Sequence, residues 1–372
     1  MYIWEQPDWP RFEWDKVALR PQLDAVRLLQ GRLLGRTEVV GASEDLDVEM
    51  DALIQNAIRT SEIEGEHLDA ASVRSSVARQ LGLERAGVTD RSNARSDALV
   101  GLLLESVHRP DEPLTRQRLF DWQAALFPDG PGLLADVRIG ALRGEQPMRV
   151  VSGRIDRPRV HFEAPPRERL EAELDAFLNW FNAPTTGLDP LLRAGIAHLW
   201  LITIHPFDDG NGRVARAVTD RALAQAERRT VRFYSLSEAI MARRNAYYEQ
   251  LEAAQKGGMD VTPWLEWFLL VLEAALQQAL DRVERVLAKS RFWQRQGGTP
   301  LSERQIKVLN RLLDEAGEAF PGGINASQYR SIARVSKATA TRDLADLLAK
   351  GCIRRLQGGG RSTRYTVAQG DD

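Results

Sequence analysis

The sequence predicts a mainly α-helical protein: a helical core interrupted by one short β-hairpin, then a small winged-helix domain of mixed α+β character. Three observations carry that expectation. Apolar residues recur three and four apart through most of the chain, the spacing of helices with one buried face. A single stretch, MRVVSGRIDRPRVHFEAPP, carries two short β-prone runs instead. After about Arg295 the composition turns basic.

Taken in order, helical spacing appears in DKVALRPQLDAVRLLQGRLLGR, then in SEDLDVEMDALIQNAIRTSEIEG. It returns in RERLEAELDAFLNWFN, DPLLRAGIAHLWLITIH and GRVARAVTDRALAQAE, and predicts one long helix across TPWLEWFLLVLEAALQQALDRVERVLAKSRF. The β-prone runs Arg149–Ser152 and Arg159–Phe162, joined by Gly153 to Pro158, form a hairpin. Turn-forming residues place loops near Gly82–Arg95, Pro128–Gly132 and Asn182–Asp189. From Leu301 to Asp372 there are 12 Lys and Arg against 8 Asp and Glu, a net +4, so the preceding residues carry −6 of the overall −2. Helices at Glu303–Ala316, Ala326–Ala333 and Lys337–Lys350, then CIRRLQGGGRSTRYTV, give helix, helix-turn-helix and a hairpin wing. The expected division is residues 1–42, a helical segment packing on the core, residues 43–294, the core, and residues 295–372, the winged helix.

With 372 residues, 43% of them hydrophobic, the chain is long enough for two or three packed domains and shows no signature of disorder. Its net charge of −2 excludes a chain that binds polyanions over its whole surface. The single cysteine, Cys352, excludes an internal disulfide and fits a reducing compartment. MYIWEQPDWPRFEWD has acids and tryptophans where a signal peptide has a basic start and an apolar run. The most apolar stretches are short and carry His or Glu, so no membrane span is expected. The expected setting is cytoplasmic.

HPFDDGNGRVAR, His205 to Arg216, links an apolar helix to a strongly helical run. Its two glycines let the backbone approach a ligand, and the first N–H groups of the following helix point out unpaired toward it. Those donors and the macrodipole form an anion site. Arg213 and Arg216 lie in the first turns, within reach of phosphate oxygens. An acid beside bound phosphate calls for a cation between them, so Asp208 or Asp209 suggests Mg²⁺. His205 can take a proton near neutral pH. The inferred tool is a Mg²⁺-nucleotide cradle with a general base, acting on a hydroxyl that attacks phosphorus in line. A GNG turn by itself is also ordinary helix punctuation.

The spacing HxFx[DE]GNGRxxR is complete here: His205, Phe207, Asp209, Gly210, Asn211, Gly212, Arg213 and Arg216. In this the sequence resembles the Fic family, whose members transfer AMP from ATP to a hydroxyl of a protein. The resemblance implies His205 as the base that deprotonates the target Ser, Thr or Tyr, Phe207 as the loop's core anchor and Asp209 as the Mg²⁺ ligand. It implies Gly210, Asn211 and Gly212 as the nest for the α- and β-phosphates, and Arg213 and Arg216 as the β- and γ-phosphate contacts. Asp208 occupies a free position, read as surface-solvated.

TSEIEG, Thr60 to Gly65, matches [ST]xxxE[GN], the family's inhibitory motif, through Thr60, Glu64 and Gly65. The resemblance implies an inhibitory helix over about 43–65, with Glu64 pairing Arg216 and displacing the γ-phosphate. Some members of this class also remove AMP, with the same glutamate activating water and the histidine protonating the leaving hydroxyl. The hairpin at about 148–163 sits where Fic proteins carry a flap. Val150, Val151 and Ser152, and Val160, His161 and Phe162, are then the edges that dock an extended target segment; a capping hairpin without a ligand is the alternative. Tyr247 and Tyr248, in ARRNAYYEQLEAAQ, resemble the tyrosine pair beside the nucleotide, with one of the two expected to face the core. Gln255 stands where relatives often place an asparagine on adenine.

His198 is expected to be a satisfied core residue, with His67 and His108 at helix ends. Trp4, Trp9 and Trp14 are expected to pack on the core. In the basic tail, Lys337, Thr339, Thr341 and Arg342 could face DNA, with Arg354, Arg355, Arg361 and Arg364 on the wing, while Asp343 and Asp346 dilute that helix. Protein contact or homodimerisation is the equal alternative. The implied partners are a protein substrate with an exposed hydroxyl, the chain itself as a target, and DNA through the tail. Three other functions stay open: mainly AMP removal, a different nucleotide or phosphocholine donor, and a nucleotide-sensing DNA-binding regulator. A P-loop kinase is excluded, since GxxxxGK[ST] is lacking.

Overall fold

In the computed structural model the chain is described except for residues 38–41, 84–89, 131–136, 155–156, 185–186, 230–232, 315–319, 321, 357–362 and 369–372. It divides into two compact units, Met1–Gly35 with Gly41–Ala279, and Arg36–Val40 with Leu280–Asp372. The division falls inside the long C-terminal helix, ahead of the composition shift at about Arg295: the last turns of that helix belong to the second unit's core.

The first unit is helical apart from one hairpin. Its elements are α1 (Lys16–Thr37), α2 (Ala42–Ile63), α3 (Ala70–Gln80), α4 (Ala94–His108), α5 (Arg116–Ala125), β1 (Arg149–Arg154), β2 (Arg157–Glu163), α6 (Leu170–Asn182), α7 (Pro190–Ile204), α8 (Asn211–Glu227), α9 (Leu236–Met241) and α10 (Arg244–Gln255), followed by the first half of α11 (Thr262–Gln296). At the centre is α7, buried from Leu191 to Ile204, as a helix apolar on all sides must be. It starts sharply because the Asp189 carboxylate accepts from the Leu191 and Leu192 N–H groups and Pro190 fills the first position. Gly195 lets α11 approach: Trp264 donates to its carbonyl at 2.8 Å, and a Cβ there would press on Leu265 and Phe268. α8 packs along α7 and is buried from Arg213 to Ala224.

Trp4 and Trp9 are anchors, as expected. Trp4 donates to the Glu163 carbonyl and Trp9 to the Glu173 carboxylate, both at 2.7 Å, while Trp9 and Phe12 meet Trp200 edge-on. The hairpin pairs β1 with β2 antiparallel, and its register slips between Val150 and Val151, so that His161 is the extra residue of a bulge.

The second unit has α12 (Glu303–Asp314), α13 (Ala326–Ala333), α14 (Lys337–Ala349) and an antiparallel ribbon of β3 (Ile353–Arg355) and β4 (Tyr365–Val367), the arrangement expected of a winged helix. Arg334 makes the turn between α13 and α14 in the left-handed region, φ +52°. Val308, Leu309, Leu312, Tyr329, Leu344 and Leu347 form its core with Cys352 and Ile353. Of the two acids expected to dilute the positive charge of α14, Asp346 has a 42% exposed side chain and Asp343 is turned inward. Asp343 is buried and binds Arg304 at 2.6 and 3.0 Å and the Tyr329 hydroxyl at 3.1 Å. Asp346 accepts from Gln305 and Lys350. Lys337, Thr341, Arg342, Arg354, Arg355 and Arg364 are exposed; Arg361 lies outside the described residues.

Candidate functional site

The loop between α7 and α8 is held from several sides. His205 ends α7 in the left-handed conformation, φ +52°, and Gly210 opens α8 at φ +88°, where a side chain would be strained. Phe207 is fully buried and meets Phe120 edge-on, anchoring the middle of the loop. The Asn211 side chain clasps the loop closed: its Oδ1 accepts from the Phe207 N–H at 2.9 Å and its Nδ2 donates to the Phe207 carbonyl at 2.8 Å. The Asn211 side-chain amide is therefore committed to the loop, and the backbone supplies the donors. The first intrahelical bond of α8 is Val214 N–H to the Gly210 carbonyl, so the N–H groups of residues 211–213 precede the ladder.

Three further residues brace this loop, and sequence reasoning missed two of them. Arg143 is buried and donates to the His205 and Pro165 carbonyls, while its own N–H bonds the Pro206 carbonyl at 2.9 Å. Gln123, also buried, donates to the Asp209 carbonyl and accepts from the Gly140 N–H. Asp208 is not a solvated bystander: its carboxylate accepts from the Arg138 and Gly144 N–H groups at 3.0 and 3.2 Å. Nothing local in the sequence distinguishes these residues, because their partners lie dozens of residues away.

His205 directs Nδ1 at the Ile202 carbonyl, 3.0 Å away. A carbonyl only accepts, so Nδ1 carries the proton and Nε2 keeps its lone pair, the form a base requires. Burial, and then the charge of Arg143, hold its pKa below the ordinary histidine value, against opposing pulls from the Ile202 carbonyl, Glu64 and Asp209. The ring is therefore neutral at neutral pH.

Arg213 and Arg216 of α8 lie beneath a pair of carboxylates just past the end of α2. Arg216, 2% exposed, donates to the Thr60 hydroxyl and carbonyl at 2.8 and 2.9 Å and to Glu64 Oε1 at 2.7 Å. Burial pulls its pKa down; the charge and hydrogen bond of Glu64 together with Tyr247 and Tyr248 outweigh that and raise it. Arg213 donates to Glu66 at 2.8 Å, a pair the sequence reading did not foresee. Arg216 Nη1 and Arg213 Nε are buried without a hydrogen-bond partner among the described residues. Gly212 lies under this cluster: a Cβ there would collide with the Glu64 carboxylate and come within 3.2 Å of Arg216 Nη1. Asn56 ties α2 to Asp220 of α8 at 2.8 Å, and the Ile63 carbonyl accepts from Arg244 and Tyr248 of α10, both at 2.9 Å. Gly65 leaves the helix at φ +84°.

A cavity of about 810 Å³ joins these parts, lined by Glu64, His205, Asp208, Asp209 and residues 210–212 on one side, and by the hairpin and α10 on the other. Of the two predicted tyrosines, Tyr247 is core: it is buried and hydrogen-bonds His198, so the exposed ring is Tyr248. Gln255 is buried in the cavity wall, with its amide 3.4 Å from the Thr203 hydroxyl. His198 is satisfied, as expected, by Thr219 and Tyr247. On the hairpin, Val151 and Val160 are exposed edge residues, whereas Phe162 is 1% exposed and packs on Tyr2, an anchor of the hairpin more than a docking edge.

Among the described residues no three His, Cys, Asp or Glu gather as a metal cage. Asp209 instead offers a single, 43% exposed carboxylate beside the start of α8. That suits a hard cation completed by phosphate oxygens, since Mg²⁺ is commonly held by one or two carboxylates plus its substrate's phosphates.

Residues 113–223 match the Fic/DOC family, and residues 2–83 match a domain of unknown function, DUF4172. The chain is 31% identical over 139 residues to protein adenylyltransferase fic-1 of Caenorhabditis elegans, covering 36% of this chain and 26% of the relative. It is 25% identical over 230 residues to protein adenylyltransferase Fic of Culex quinquefasciatus, covering 61% and 42%. The chain thus spans only about a quarter to two fifths of these curated relatives. In fold it is similar to a Fic family protein from Desulfovibrio desulfuricans, with a TM-score of 0.54 at 18% identity over 98% of this chain and 99% of the other. It is also similar to C. elegans Fic-1, with a TM-score of 0.52 at 18% identity over 72% and 74%.

Proposed function

We propose that this chain, which carries a Fic/DOC-family domain over residues 113–223, transfers AMP from Mg²⁺-bound ATP to a hydroxyl side chain of a protein and is held in check by Glu64. The observation that carries the reading is the convergence over Gly212. Unpaired guanidinium and backbone donors gather there as they would around a phosphate, and the Glu64 carboxylate occupies that position. The names of the relatives, protein adenylyltransferases, support the same chemistry.

Each residue then has a defined task. His205 Nε2 takes the proton from the incoming hydroxyl, whose oxygen attacks the α-phosphorus as pyrophosphate leaves. The N–H groups at the start of α8 and the guanidinium of Arg213 neutralise the charge that develops, and a single such donor is commonly worth about 10²–10³ in rate. Mg²⁺, held by Asp209, supplies further charge neutralisation when bound. Val151 and Val160, on the exposed hairpin, receive an extended target segment by strand addition. Glu64 competes for the γ-phosphate's partner, so ATP enters productively only when the end of α2 releases Arg216. With Glu64 facing the same cavity as His205, AMP removal through water activated by that carboxylate is the second reading.

The position of the label identifies the reaction. The Glu64→Gly variant with a cell extract and ATP labelled at the α-phosphate is expected to give labelled protein, and ATP labelled at the γ-phosphate none. Protein label from the γ-phosphate alone would replace AMP transfer with phosphoryl transfer.

A further inference from the structure

The cavity walls carry three hydroxyl side chains, Ser152, Tyr247 and Tyr248. Two are committed. Tyr247 is buried, hydrogen-bonded to His198, and its pKa is pushed far up by that burial. Tyr248 donates to the Ile63 carbonyl, and burial raises its pKa as well. Ser152 differs. Its Oγ lies 2.6 Å from His161 Nε2, and His161 Nδ1 lies 2.6 Å from Glu252 Oε2. A carboxylate accepts, so Nδ1 carries the proton and Nε2 is free to accept the serine's. Lys256 and Arg159, 2.6 and 3.8 Å from Glu252, favour its charged form, and the Lys256 contact, ahead of His161, holds the carboxyl below the usual range. The hairpin bulge has a purpose in this light: an extra residue at 161 turns that ring onto the partner strand's serine.

We propose that Ser152 is an acceptor in its own right, activated by His161 and Glu252, so that the chain places AMP on its own flap. The inference rests on the AMP-transfer reading. The Ser152 proton passes to His161 Nε2 and the resulting imidazolium is held by Glu252. Ser152 Oγ bonds the α-phosphorus, and the bond from that phosphorus to the bridging oxygen of the β-phosphate breaks. Pyrophosphate leaves with the electron pair. Serine, histidine and carboxylate are linked in the order that activates a hydroxyl nucleophile on unrelated folds.

The test is peptide mapping of the Glu64→Gly chain after incubation with Mg²⁺ and α-labelled ATP, in the presence of a cell extract. AMP is expected on Ser152. It is expected to disappear from that peptide in Glu64→Gly/Ser152→Ala, and to form about 10²-fold more slowly in Glu64→Gly/His161→Gln. Ser152 is exposed on a strand, so Ser152→Ala leaves the fold intact, and Ser152→Thr, which keeps the hydroxyl, is expected to keep the label. AMP found only on extract proteins or on other residues of the chain overturns the inference while leaving the transferase reading standing. No label on any protein overturns both.

Discussion

Protonating His198 should unlock the core behind the nucleotide cavity, at a cost that can be worked out. The ring is 1% exposed on α7, with Nδ1 2.8 Å from Thr219 Oγ1 and Nε2 2.9 Å from the Tyr247 hydroxyl. The Thr219 hydroxyl donates to the Ala215 carbonyl, so it accepts from His198 Nδ1–H, and Tyr247 donates to Nε2. A second proton has no place in that chain. Burial, and then the charge of Arg216, bring the pKa from 6.5 down to about 3. The folded-state value lies below the unfolded one, so His198 leaves stability unaffected above about pH 6.5. As the pH falls from there toward 3 the unfolded chain takes up a proton that the folded chain refuses. The loss is about 1.4 kcal/mol per pH unit, about 5 kcal/mol in full. Urea unfolding of wild type and His198→Gln, followed by tryptophan fluorescence, measures it. Between pH 6.5 and 4.5 the wild type should lose about 2–3 kcal/mol more than the variant. Parallel curves would refute the reasoning.

Other consequences follow from the same geometry. Glu66→Gln frees a guanidinium nitrogen of Arg213 and, in the Glu64→Gly background, should tighten ATP binding by about tenfold by calorimetry, the effect of one charge-assisted hydrogen bond; an unchanged Kd would mean that Glu66 does not compete with phosphate. The acid limb of the Glu64→Gly rate profile should fall below pH 6.5, because burial already lowers the His205 pKa and removing Glu64 takes away a charge that raises it. A limb above 6.5 would assign the base elsewhere. Asp208→Ala removes both backbone bonds that hold residues 138 and 144, and should lower unfolding stability by about 2 kcal/mol while reducing transfer; equal stability would return Asp208 to solvent. Arg304→Ala should lower the melting temperature of the second unit, since it removes both guanidinium bonds to the buried Asp343 carboxylate and leaves it the Tyr329 hydroxyl.

Much of this site was legible because its parts are local. His205 to Arg216 is one loop and the start of one helix, so spacing alone orders its donors. Glu64 was legible only through the resemblance of TSEIEG to the family's inhibitory motif, since an acidic helix end by itself is unremarkable. The hairpin followed from β-prone runs, but its bulge did not, and with it went the alignment of Ser152, His161 and Glu252, which are 9 and 91 residues apart in the pairs that matter. Arg143, Gln123 and Glu66 were missed for the same reason: a buried arginine or a paired glutamate has no local pattern. Asp343 was read only as a charge diluting its helix, because its partner Arg304 lies 39 residues earlier.

The central claim is that Glu64 guards a transferase whose base is His205. Wild type, Glu64→Gly and Glu64→Gly/His205→Ala, each given Mg²⁺, α-labelled ATP and a cell extract, test it together. Strong labelling of extract proteins by Glu64→Gly, weak labelling by wild type and none on extract proteins by the double variant is the predicted pattern, with Ser152 of the chain itself scored separately because its base is His161. Equal labelling by wild type and Glu64→Gly would remove the guard, and undiminished labelling by the double variant would remove His205 as the base.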